Sequence, residues 1–212
     1  GMVGPLFNEG VLDPSHAPVW RSMACVVLGK AGLSPSLHGS RNDQFSTARM
    51  AVVEAARHGC LRPALVLSSA VDKNVGWRFS GGYHCGLSQC SGLRGAGVFD
   101  FDWTAPERFK RWLKGRNTDV LITAHAEVAE WVREAGLRVP AQIDLIHLDR
   151  NTAAGDWAGI DQNQTGVGAA AVDILVSLLH QNHTGPTAQP YCAVIPGQWR
   201  EGGTLKSRRR RG

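Results

Sequence analysis

Short apolar runs bounded by turn residues alternate with longer segments of helical periodicity along most of the chain. Ala24, Cys25, Val26, Val27 and Leu28 form one run, closed by Gly29. Others lie at 63–69, with Leu65, Val66 and Leu67 in a row, at 98–103, and at 119–123. A further run, with Ile143, Leu145, Ile146 and Leu148, ends on the carboxylate of Asp149. Apolar runs of this length between turn signals predict strands buried on both faces. A short strand is also expected in GMVGPL at the start, and the Gly-, Ser- and Pro-rich stretch through His38 to Ser40 reads as loop.

The segments between these runs predict helices. Asn42 or Asp43 caps the first with a side-chain oxygen; it carries Phe45, Met50, Val52, Val53 and Ala56 and stops at Gly59. Pro106 opens PERFKRWLKGR, apolar at Phe109 and Leu113 and ended by Gly115, and AHAEVAEWVREAGLRVP is stopped by Gly136 and Pro140. From Thr165, small residues (Gly166, Gly168, Ala169, Ala170, Ala171) open a long helix that turns apolar at Val172, Ile174, Leu175, Leu178 and Leu179. Strand and helix in alternation predict βαβ units and parallel sheets, an α/β fold.

Composition narrows the function classes. At 43% hydrophobic and 19% charged, the 212 residues suit a folded globular chain. No apolar run has the length of a membrane span, and the start lacks the basic and apolar regions of a secretory signal. The net charge of +5 comes from the tail: Lys206 and Arg208–Arg211 account for it, and the rest is balanced. A nucleic-acid-binding surface on the folded part therefore has no support from charge. Five scattered cysteines suit a reducing compartment, and the expected localisation is cytoplasmic. His84, Cys85 and Cys90 lack the paired spacing of a metal site, so neither a metal nor a cofactor is expected. The chain has no GxGxxG after a strand, no GxSxG and no P-loop, and no enzyme is expected.

The stretch 143–205 resembles the C-terminal part of the effector-binding core of the lactose-repressor/galactose-repressor (LacI/GalR) family of bacterial transcription regulators. The matching features are the strand ending at Asp149, Gln162 in the next strand, the helix from Gly168 to Leu179, and the closing strand with its GGTL ending. HGCLRPALVLSS and the run Arg78-Phe79-Ser80-Gly81, which fits the family's R-x-x-G motif, extend the likeness. The resemblance implies two Rossmann-like subdomains with parallel sheets joined by a multi-crossing hinge, of the type I periplasmic-binding-protein kind. Residues 1–61 with 163–188 are expected as a partial first subdomain, 62–162 with 189–207 as the second, and 208–212 as a disordered basic tail. The first subdomain is expected to be incomplete, with two βα units and the helix-turn-helix headpiece missing. A homodimer is expected, with DNA bound only through that headpiece and no membrane partner.

Ligands of doubly wound sheets sit beyond the carboxyl ends of the strands. The resemblance implies that a small effector, a carbohydrate by its chemistry, lies in the cleft between the subdomains. Arg78, Asp149 and Gln162 occupy the family's ligand-contact positions. His125 stands where many members carry an Asn-Asp pair, and is a candidate replacement. Trp157 is a candidate from loop chemistry alone, as an aromatic face for a sugar ring. A solute-binding protein for sugar uptake is the alternative reading.

Overall fold

A computed structural model describes residues 2–5, 17–29, 36–150 and 155–206. The expected basic tail and part of the loop after Asp149 lie outside these residues. The elements are β1 (Met2–Pro5), α1 (Ala17–Ser22), β2 (Cys25–Leu28), β3 (His38–Asn42), α2 (Gln44–Arg57), β4 (Pro63–Leu67), α3 (Ser69–Asn74), α4 (Arg78–Gln89), β5 (Gly97–Asp100), α5 (Pro106–Lys114), β6 (Val120–Thr123), α6 (Glu127–Glu134), β7 (Asp144–His147), β8 (Ala158–Asp161), α7 (Gln164–His180), β9 (Cys192–Ile195) and β10 (Gln198–Arg200). They form two compact units, residues 1–43, 74–76 and 163–196 in one, and 44–73, 77–162 and 197–212 in the other.

The first unit holds a parallel sheet in the order β1-β2-β3-β9. Ala24 and Val26 meet Ala171, Ile174 and Leu178 of α7, so the apolar side of that helix covers one face of the sheet. Asn163 caps α7, its side-chain oxygen accepting the Gly166 N–H at 3.0 Å. At the other end Asn182 takes the left-handed conformation, and the His183 N–H returns to Leu178 O, which stops the helix without a glycine.

The second unit is built on the sheet β10-β8-β7-β6-β4-β5, parallel throughout except for β10. Every residue of β4, β6 and β7 is buried, which is why β4 and the centres of β6 and β7 read as apolar runs. Phe109 and Leu113 of α5 and Val128 and Val132 of α6 pack with Val66, Phe99, Leu121 and Leu145 into one core. Gly59 and Gly136 end α2 and α6 at positive φ, as their positions in the sequence predicted.

In this unit α2 packs against α4. Gly82 and Gly86 make the approach possible: a Cβ on Gly82 would overlap the Phe45 carbonyl, and one on Gly86 would stand 2.7 Å from Val52 Cβ. Gly82→Ala is expected to lower stability by about 2 kcal/mol or more despite alanine's better helix propensity. A urea unfolding curve matching the wild type would contradict this packing.

Three features differ from expectation. β3 lies where a loop was expected; its polar HGSRN has no apolar pattern, and it is held as a strand by pairing with β2 and β9 on either side. The closing segment is two strands: β9 pairs with β3, while β10 pairs antiparallel with β8. The chain thus returns to the second unit only after Pro196, not at 189, and α2 is grouped with the second unit through its packing on α4. Among the described residues, no helix is long and apolar enough to cross a membrane.

Candidate binding site at the carboxyl ends of the six-stranded sheet

Because β4 to β8 are parallel, the loops that leave their carboxyl ends lie at one end of the sheet. Ser68 and Ser69 follow β4; Phe101, Asp102 and Trp103 follow β5. His125 follows β6, Asp149 and Arg150 follow β7, and Gln162 follows β8.

Backbone donors and buried side chains tie these loops together. The Ser69 N–H and hydroxyl donate to the two oxygens of Asp100 at 2.7 and 3.1 Å, joining the ends of β4 and β5. The Ser68 N–H donates to His125 Nε2 at 3.1 Å, joining β4 to β6. The Gln162 side-chain amide donates to Leu148 O at 2.7 Å, joining β8 to β7. The Asp149 N–H donates to His147 Nδ1 at 3.1 Å. A ring nitrogen that accepts carries no proton, so the neutral His125 bears its proton on Nδ1 and the neutral His147 on Nε2.

His125 is 4% exposed, and burial pushes its pKa down to about 4, with the neighbouring His147 adding to the effect. His147 is shifted down as well, chiefly by burial. An imidazole with a depressed folded-state pKa takes up its proton first in the unfolded chain. Stability should therefore be full above about pH 6.5 and fall as pH drops toward 4. Urea unfolding at several pH values checks this, and His125→Gln should flatten that window. An unchanged slope in the variant would sink the assignment.

An aromatic ladder leads from the core to this end of the sheet. Trp131 stacks on Phe101 at 4.8 Å, and Phe101 stacks on His125 at 4.1 Å, with ring planes within 20° and 10°. Trp103 meets both Phe101 and His125 edge-on at 5.0 Å and is 57% exposed.

Arg78 is the first residue of α4. Its predecessor Trp77 sits at φ 59° and makes no side-chain cap, so Asp72 of α3 caps the helix instead. The Asp72 carboxylate accepts the Phe79 and Ser80 N–H groups at 3.1 and 3.2 Å and the Ser80 hydroxyl.

The structure thus brings His125, Asp149 and Gln162 to one end of the sheet and fixes Arg78 on a capped helix terminus. Trp157 departs from the expected role. It is 8% exposed, packed in the core and edge-on to His147 at 5.1 Å, so it has no free face for a ring. Trp103, and Trp77 beside Arg78, are exposed aromatics at these loops. In the sequence Trp103 reads as the last residue of the run 98–103, and its place at the carboxyl end of that run was the available signal. The capping role of Asp72 had no local signature in the sequence, because its partners lie seven and eight residues on. Among the described residues, no three His, Cys, Asp or Glu side chains are grouped to hold a metal.

Residues 103–205 match the family model of the periplasmic binding protein-like domain. A search of curated proteins found no match. Among solved structures, the chain is similar to a LacI family transcriptional regulator from Enterococcus faecium with bound ribose, at 16% identity and a TM-score of 0.67, covering 87% of this chain and 71% of that one. It is also similar to a periplasmic binding protein/LacI transcriptional regulator from Alkaliphilus metalliredigens complexed with D-xylulofuranose, at 15% identity and 0.69, covering 87% and 71%. The transcription regulator CcpA of Lactococcus lactis matches at 16% identity and 0.69, covering 96% and 76%. The chain therefore has the fold shared by these regulators, and its residues 103–205 are similar to the periplasmic binding protein-like domain.

Proposed function

We propose that the chain is the effector-sensing core of a bacterial transcription regulator of the lactose-repressor type. In this reading it binds a carbohydrate at the carboxyl-end loops of β4 to β8 and passes occupancy to a DNA-binding headpiece elsewhere in the full protein. The observation that carries the reading is the pairing of an exposed indole, Trp103, with planar polar groups at the same strand ends. An aromatic face takes the apolar side of a sugar ring, while a carboxylate, an amide and a guanidinium bond its hydroxyls. Sugars bound to two proteins of the same fold, ribose and D-xylulofuranose, support the ligand class. Differential affinity of the effector for two states of the core supplies the switching energy. A homodimer in the cytoplasm belongs to this reading, and the five free thiols agree with a reducing compartment.

The test is thermal stabilisation by a panel of neutral and acidic pentoses and hexoses. At least one should raise Tm, and Asp149→Ala and Arg78→Ala should each abolish that rise; no stabilisation by any member would overturn the reading. A sugar-uptake solute-binding protein is the second reading, favoured by the kind of domain that 103–205 matches. The gene decides between the two: an in-frame helix-turn-helix segment identifies the regulator, and a signal peptide identifies the transport protein.

A further inference from the structure

Among the described residues, three arginines bury an Nε that bonds to nothing: Arg41, Arg62 and Arg150. Arg62 has compensation, its guanidinium 3.7 Å from the Asp119 carboxylate at the amino end of the sheet. Arg41 has other interactions. Arg150 differs from both. Its backbone N–H donates to Ile160 O at 2.7 Å, which fixes the residue at the carboxyl end of β7, directly after Asp149. Its side chain is half-buried and has neither an ion pair nor a hydrogen bond among the described residues.

A guanidinium Nε–H removed from water without replacement costs stability, and a chain that keeps one needs a reason in function. The planar fork of N–H donors matches a carboxylate or a phosphate, which takes two parallel bonds from it, better than any neutral group. This fork stands in the loop that carries Asp149 and beside the strand end that carries Gln162, where hydroxyls would be read.

We propose that Arg150 receives an anionic group, so that the effector of this site is a sugar derivative bearing a carboxylate or a phosphate. The inference rests on the carbohydrate-binding reading of the same loops and specifies its ligand. Carboxylate and phosphate share the chemistry that Arg150 recognises, and matched ligands separate them.

Isothermal titration calorimetry on the full chain, with D-glucose against D-glucuronate and D-glucose 6-phosphate, and D-ribose against D-ribose 5-phosphate, tests the proposal. In at least one set the anionic member should bind about 10- to 100-fold more tightly than its neutral parent. Arg150→Gln should remove that preference, so that the anionic member and its neutral parent bind equally, and Arg150→Lys should retain part of it. A side chain with no partner also predicts that Arg150→Gln keeps the wild-type Tm or raises it. Neutral parents binding as tightly as the anionic members would overturn the proposal and leave the carbohydrate reading standing. Binding of no sugar in either form would overturn both. A preference for the anionic member that persists in Arg150→Gln would assign the anion to another residue and reject Arg150.

Discussion

Asp72→Ala should lower the stability of the chain by about 2–4 kcal/mol. The residue has the look of an ordinary helix aspartate in sequence, but its carboxylate is 2% exposed and serves a helix other than its own. The first turn of α4 has N–H groups that must be satisfied, and Trp77, in the left-handed conformation and with an indole side chain, cannot satisfy them. Asp72 takes two of them and the Ser80 hydroxyl as well. Removing the carboxylate leaves those donors unpaired in a buried place. Asp72→Asn keeps one acceptor oxygen and should lose roughly half as much. Because Arg78 opens the turn that Asp72 caps, Asp72→Ala should also weaken ligand binding without touching ligand. Chemical unfolding of the two variants checks the first effect, and an Asp72→Ala curve within about 0.5 kcal/mol of wild type would reject the cap.

The second large effect is expected on affinity. Trp103→Ala should weaken sugar binding about 30-fold or more, the loss typical of removing a central aromatic anchor. Its stability should change little, because more than half of the side chain is in solvent and its contacts to Phe101 and His125 are edge contacts. Trp103→Phe keeps an aromatic face and should recover most of the affinity. Trp157→Ala should do the reverse, destabilising the chain through the core it leaves while acting on binding only through lost packing. Equal affinity in Trp103→Ala and wild type would remove the indole from the site.

The two tryptophans show where the sequence was legible and where it was not. Apolar runs such as Leu65-Val66-Leu67 announced buried parallel strands because such strands have no polar face to interrupt them. The glycine stops at Gly59 and Gly136 were equally plain, since the positive φ they adopt favours that residue. The polar β3 was not legible: its pairing partners, Val26–Leu28 and Cys192–Ile195, lie far apart in the chain and give it no local period. Nor could the sequence say which of two loop tryptophans stays exposed. Trp157 directly precedes β8 and is drawn into the core, whereas Trp103 stands beyond the end of β5. His125 and Asp149 were legible as residues of strand-end loops, but the roles of their nitrogens depend on Ser68 and His147, which only the fold brings near.

Hydrogen–deuterium exchange on the full chain, with and without whichever sugar raises Tm most, tests the central claim most directly. Binding at the carboxyl ends of β4 to β8 predicts new protection in 68–80, 100–104, 124–128 and 148–162, with none in the amino-end loops 60–62, 116–119 and 141–143. Protection confined to the amino-end loops, or to neither set, would contradict the account.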